Sequence, residues 1–372
     1  MLEVNSRLRC TRAYIKKGIC LYDCTLARPQ KPERKSHNFS VDKASHRANL
    51  RHERTNTMGK IFIADDERIG RASALIKVGG LVAFPTETVY GLGANVYNPH
   101  AVAGIFKAKG RPTFNPLISH IWHKDQLPDL AKTDSRATFL AEKFWPGPLT
   151  MILPRKEQNP TLDLVCAGLP NISIRCPNHP VALKLIKLSN CPIAAPSANR
   201  SQSISPTTAL AVLESLEDNV DMILDGGPCA VGVESTIVDL TTPNVTILRA
   251  GGLTKEELEE ALNEPVYLSD GNPDRPTSPG QMLKHYAPGK KFRINALSAE
   301  KDELFIAFGP DFPDAKMNLS KTGDLREAAA NLFAYMRLAD ETMEYERIAM
   351  APIPETGLGL AINDRIRRAA RN

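Results

Sequence analysis

The chain has 372 residues, room for two domains, and its 42% hydrophobic content is that of a globular protein. No window approaches the roughly 18 uninterrupted apolar residues of a membrane span, so the sequence predicts no membrane partner. Its seven cysteines contain no C-x-x-C pair, which argues against a zinc site or a disulfide framework and for a reducing, cytoplasmic setting.

The net charge of +5 is uneven. Residues 1–57 hold 13 Lys/Arg against 5 Asp/Glu, whereas 58–372 hold 34 against 37. The basic excess thus belongs to the N-terminal stretch, which shows no sustained apolar period and suits a disordered extension. Met58, followed by GKIFI, reads equally well as a start. From 58 to 252 short apolar runs alternate with helical patterns. LVAF, LTMIL, ISIR, PIAA, MILD, STIVDL and VTILR read as strands bounded by Pro, Gly or Asn. ERIGRASALIKVGG, NPHAVAGIFKAKG and HPVALKLIKLSN read as helices; the second has Asn98 as N-cap, Pro99 in its first turn and Gly110 as its stop. This is one α/β domain.

Residues 253–290 read as a helix, TKEELEEALN, and then a Pro/Gly-rich linker. From 291 to 372 two strands and two helices alternate, which predicts a small Rossmann-like α/β unit. Its first helix carries an apolar stripe of Leu325, Ala329, Leu332, Phe333, Met336 and Ala339.

Familiar nucleotide signatures such as G-x-x-x-x-G-K-[ST] and G-x-G-x-x-G are absent. Instead, hydroxyls, amides and cations gather at predicted strand ends. In FPTETVYGLG, Thr86 and Thr88 flank an acid before Gly91 and Gly93; a small polar ligand or a plain turn fits. In KAKGRPTFNPLISH, Lys107 and Lys109 close a helix, as its dipole favours. Arg111 lies beyond the stop, where its planar fork suits phosphate, and a Pro-threaded loop carrying Asn115 leads to His120. AAPSANRSQSISPT places Ser197 and Ser205 after a buried run, and Ser235 opens the strand of GVESTIVDL. Arg175 and Arg249 end strands of their own. Three arginines among hydroxyls, with no Ser-His-Asp order and no paired carboxylates, imply charge neutralisation and positioning, as in phosphoryl or nucleotidyl transfer.

In order along 60–372, PTETVYGLG, KAKGRPTFNPLISH, WPGPLT, SIRCP, PIAAPSAN with SPT, GVESTIVD and LRAGG resemble the motifs of YrdC-like threonylcarbamoyl-AMP synthases. SPGQMLKHYAP and GLGLAINDRIRRAA are similar to the two-domain, long form. The resemblance implies a YrdC-like α/β twist, a mixed sheet around a basic cavity. It implies a nucleotidyltransferase that makes threonylcarbamoyl-adenylate and pyrophosphate from ATP, L-threonine and bicarbonate, with Mg²⁺ accompanying ATP and no organic cofactor. A downstream threonylcarbamoyl-transferase complex would then modify tRNA beside the anticodon, so that tRNA is an indirect partner. Carried over, Thr86, Thr88, His120, Arg175 and Ser235 would hold threonine. Lys109, Arg111, Asn115, Asn171, Ala195, Ser197, Ser205 and Arg249 would hold ATP. Ser278, His285 and Tyr286 would belong to a segment covering the cavity. Three departures stand out: Asn171 replaces a threonine of the family, LRAGG replaces the commoner LRPG, and the C-terminal unit is shorter than the family's usual one.

An RNA-binding module without ATP turnover is the alternative, but the net −3 of 58–372 and the lack of an aromatic stacking strand speak against it. A carbamoyl-transfer relative, as in hydrogenase maturation, would bring zinc-type cysteine motifs.

Overall fold

The computed structural model describes residues 10–16, 19–24, 60–156, 162–269 and 285–371. The chain divides into two compact units, Met1–Arg51 and His52–Asn372. In the first, β1 (Cys10–Lys16) pairs antiparallel with β2 (Ile19–Cys24), a local hairpin within a stretch whose sequence suggests disorder.

In the second unit β3 (Ile61–Ile63) leads to α1 (Asp66–Lys77), β4 (Val82–Phe84), β5 (Gly91–Asn95), α2 (Pro99–Lys109) and β6 (Ile118–His120). Next come α3 (Leu127–Leu130), α4 (Ser135–Phe144), β7 (Leu149–Pro154), β8 (Asn171–Arg175), α5 (Pro180–Ser189) and β9 (Ile193–Ala194). They are followed by α6 (Ala209–Leu216), β10 (Met222–Asp225), β11 (Thr236–Asp239), β12 (Thr246–Arg249), α7 (Lys255–Leu262) and β13 (Tyr267–Leu268). These strands make one mixed sheet in the order β13-β12-β11-β7-β8-β6-β9-β5-β4-β10-β3.

Local chemistry explains the helix ends. Asn98 caps α2 by accepting from the His100 and Ala101 amides, Pro99 opens it, and Gly110 closes it at φ 59°. Its apolar stripe of Val102, Ile105 and Phe106 is buried, which stabilises by about 1.5–3 kcal/mol per side chain. Thr254 and Glu257 form a reciprocal capping box on α7. That helix and β13 lie beyond residue 252 yet join the first sheet and its core through Leu258 and Val266.

The structure departs from the sequence reading at GLGAN. The glycines look like a loop but form β5, paired with β4 and β9. Here Gly93 is needed for close approach: a Cβ would sit 2.7 Å from a Phe84 ring carbon and 2.9 Å from an Ile193 methyl.

After the linker, β14 (Lys291–Arg293), β15 (Glu303–Ala307), β16 (Met317–Asn318), α8 (Leu325–Glu341), β17 (Arg347–Met350) and α9 (Leu358–Ala369) build a parallel sheet of order β14-β17-β15-β16. The α8 stripe is buried from Ala329 to Ala339, with Ala328 joining it and Leu325 only partly covered. This sheet's core extends to Val89, Ile204 and Val233 of the first domain. At Gly232 (φ 77°) a Cβ would lie 2.3 Å from the Ala329 carbonyl oxygen, so the contact with α8 tolerates no side chain. Among the described residues, no helix is long and apolar enough to cross a membrane.

Candidate active site

Strand register assembles the site. β6 and β8 run parallel with His120 opposite Arg175, and β7 runs antiparallel to β8 with Thr150 opposite Arg175. β11 continues the row beside β7, and Arg249 of β12 pairs with Ile237. Residues scattered over 130 positions thereby end at one cavity, at the tips of adjacent strands, where open α/β sheets place ligands. The cavity is small, with about 50 Å³ open to water-sized molecules. Arg111, His120, Arg175, Ala195, Ser197, Ser235, Arg249, His285 and Tyr286 all line it, as does Glu234.

The cations are fixed by carbonyls and carboxylates. Arg111 Nη2 donates to the Pro116 carbonyl at 2.9 Å and its Nε to that of Asn115 at 3.3 Å. Arg249 donates to the Ser235 carbonyl at 2.8 Å and its hydroxyl at 3.1 Å. The Ser235 hydroxyl also lies 2.7 Å from that of Thr150. Arg175 Nη2 stands 2.8 Å from Glu87 Oε1, both nearly buried. Burial, and then the Arg249 charge, push the Arg111 guanidinium down to about 9. Two cations facing one buried space favour an anion between them.

His120 is buried, and desolvation together with the Arg175 charge holds it near 3, so its imidazole is neutral. Its Nδ1 lies 3.2 Å from the Ile118 carbonyl. His285 is likewise held near 3, by burial first; Glu234 opposes the shift, and Arg111 and Lys109 add to it. The His285 and Tyr286 rings touch with centroids 3.9 Å apart and planes tilted by 53°, and Tyr286, at φ 60°, stacks on Phe333 of α8. Ser278 lies outside the described residues.

Other expected residues stand behind the lining. The Thr86 hydroxyl donates to the Val89 carbonyl at 2.6 Å and lies 2.8 Å from the Thr88 hydroxyl, so both buried threonines hold the turn that shapes one wall. Lys109 Nζ donates to the Ser197 carbonyl at 2.6 Å and also to the Asn199 carbonyl, which pins the Pro196–Asn199 turn. Burial and the Arg111 charge lower its pKa well below the ordinary lysine value. Asn115 is buried with an unpartnered Oδ1. Ser205 donates to Glu234 Oε1 at 2.6 Å. Asn171 is half-buried at the opposite end of β8 from Arg175, about 13 Å away at strand rise, and is not part of the lining.

Sequence reasoning missed Glu87, Glu234, Asn199 and Arg365. Two of them were adjacent to residues it singled out, in PTET and GVEST. Arg365 carried no local signal.

Residues 74–251 match the family model Sua5_yciO_yrdC, which bears the description telomere recombination. Residues 253–371 match Sua5_C, threonylcarbamoyl-AMP synthase, C-terminal domain. A threonylcarbamoyl-AMP synthase of Pyrococcus abyssi is 41% identical, covering 82% of this chain and 95% of the relative. One of Bacillus subtilis is 40% identical, covering 82% and 94%. The crystal structure of P. abyssi Sua5 complexed with L-threonine superposes with a TM-score of 0.76 at 40% identity, covering 82% of this chain and 95% of that one.

Proposed function

This chain belongs to the threonylcarbamoyl-AMP synthase family in its two-domain form, and we propose that its cavity joins ATP, L-threonine and bicarbonate into threonylcarbamoyl-adenylate, releasing pyrophosphate. The observation that carries the reading is the convergence of Arg111, Arg175 and Arg249 with neutral His120 and Ser235 in one cavity, the Ser235 hydroxyl being held by that of Thr150.

In this reading Arg175 takes the threonine carboxylate as a charge-assisted partner, oriented from behind by Glu87. Ser235 and His120 receive the rest of the amino acid, and Thr86 and Thr88 hold the wall. A neutral imidazole beside Arg175 adds no charge that would repel the ammonium before it sheds its proton. The free amine attacks the carbon of bicarbonate, and loss of water leaves a carbamate. A carbamate oxygen then attacks the α-phosphorus, and pyrophosphate departs. Arg111, Arg249 and Ser197 neutralise and orient the phosphates, which is the greater part of such catalysis. Lys109 acts through the turn that it pins under Ser197, Ala195 offers backbone, and Ser205 engages one oxygen of Glu234. Asn115 supplies an amide whose buried oxygen lacks a partner.

The donor set fits Mg²⁺ that arrives on the triphosphate, because this ion keeps waters and binds chiefly through phosphate oxygens. Among the described residues no cluster of three His, Cys, Asp or Glu forms a cage, and Glu234 is already engaged by Ser205 and Arg365. When bound, the ion adds charge neutralisation at the leaving phosphates.

His285 and Tyr286 roof the cavity and shield a labile adenylate from water. The product is consumed by a threonylcarbamoyl-transferase complex acting on tRNA. Incubation with ¹³C-bicarbonate, threonine and ATP, followed by mass spectrometry, should yield an adenylate carrying the label. An adenylate without the label would refute the carbamoyl route.

A further inference from the structure

Arg365 sits on α9 in the C-terminal domain, yet it reaches the cavity wall and is fully buried. Its Nε and Nη2 donate to Glu234 Oε2 at 3.0 and 2.9 Å. Its Nη1 donates to the Ala250 carbonyl, next to Arg249 in sequence. Its guanidinium carbon lies 5.5 Å from the centre of the Tyr286 ring. The other Glu234 oxygen accepts from Ser205. One C-terminal side chain thus touches the residue before Ser235, the residue after Arg249 and the aromatic roof.

The electrostatics of Glu234 give these contacts a purpose. Glu234 lines a cavity whose other charged groups are Arg111, Arg175 and Arg249. Burial opposes its ionisation, but Arg365 first and Arg249 second outweigh that and hold it down to about 2. An ionised carboxylate on the wall of a phosphate site is a competitor for the phosphate-binding cations. A carboxylate clamped by a guanidinium behind the wall competes far less, because its charge is already compensated at contact distance.

We infer that Arg365 is a positioning residue of the active site: by clamping Glu234 it keeps that carboxylate off the cations that take the nucleotide phosphates, and so makes ATP binding depend on docking of the C-terminal domain. The inference rests on the reading of this cavity as the nucleotide site.

The test compares ATP affinity by calorimetry, and the separate KM values for ATP and threonine, in the full-length parent, Arg365→Ala, and the charge-neutral pair Arg365→Met with Glu234→Gln. Arg365→Ala should weaken ATP binding by about tenfold or more while the threonine KM moves much less. The double variant, which has neither the clamp nor the competing charge, should return to within about threefold of the parent. Should Arg365→Ala fail to fold, the double variant decides alone by the same threshold. Parent-like ATP affinity in Arg365→Ala, a double variant that is folded yet no tighter than the single one, or a double variant that does not fold would each overturn the inference. A parent that binds no ATP would instead refute the nucleotide reading itself.

Discussion

His120 and Arg175 are register partners at the tips of two parallel strands, and Arg175 is at the same time the antiparallel partner of Thr150. This pairing puts a neutral imidazole, a guanidinium and a hydroxyl side by side without any help from loops. Sites built on strands hold their geometry more tightly than sites built on loops, and Glu87 fixes the guanidinium from behind.

Arg175→Ala should raise the threonine KM by more than tenfold, about 1.4 kcal/mol, with a smaller effect on the ATP KM. It also strands Glu87, so unfolding in urea should show a loss of roughly 3–5 kcal/mol. Adding Glu87→Gln should restore much of the stability and none of the threonine affinity. Recovery of threonine affinity in that double variant would contradict the assignment.

Arg111→Ala should lower pyrophosphate release by about 10²–10³-fold, the scale for losing one preorganised partner of a developing charge. Folding should suffer little, because burial and the nearby Arg249 charge disfavour the guanidinium and offset its bonds to the Asn115 and Pro116 carbonyls. Near-parental turnover would remove Arg111 from the phosphate site.

How much of this was legible beforehand differs between elements for physical reasons. Apolar runs bounded by Pro, Gly or Asn gave the site strands, and capping chemistry gave α2 its correct ends. β5 was hidden because two glycines suppress strand propensity where close packing requires them. The hairpin of β1 and β2 lacks a sustained alternation that would reveal it. At the site, arginines at strand ends could be read locally. The burial of Lys109 under the Ser197 turn could not, and neither could the Glu234–Arg365 clamp, whose partners lie 131 residues apart.

The buried histidines predict a pH response. His120 and His285 have folded pKa values near 3 against an ordinary 6.5, chiefly through burial. The unfolded chain therefore takes up protons that the folded chain refuses between those values. The stability present above pH 6.5 is lost as pH falls through the window, with a slope approaching about 1.4 kcal/mol per pH unit for each histidine. Urea midpoints should decline from pH 7 to 5, and His120→Gln with His285→Gln should flatten the decline. A parent midpoint that is constant across that range would show the histidines to be solvated.

Replacing His285 and Tyr286 by alanine opens the roof and removes the Tyr286 stack on Phe333. ATP consumption should continue while the yield of intact threonylcarbamoyl-adenylate falls and AMP accumulates. Parental yield per ATP consumed would mean that the pair does not shield the product.

Residues 1–51 form a unit of their own. Deletion of 1–57 should leave turnover within about twofold and the melting temperature unchanged, since the family models match only residues 74–251 and 253–371. Loss of folding would show that the extension supports the catalytic domain.

The central claim is that one cavity couples all three substrates. It is tested most directly by pyrophosphate release from ATP, measured with threonine and bicarbonate together, with each alone, and with neither. The account predicts release only when both are present. Equal release in the absence of threonine or bicarbonate would contradict it.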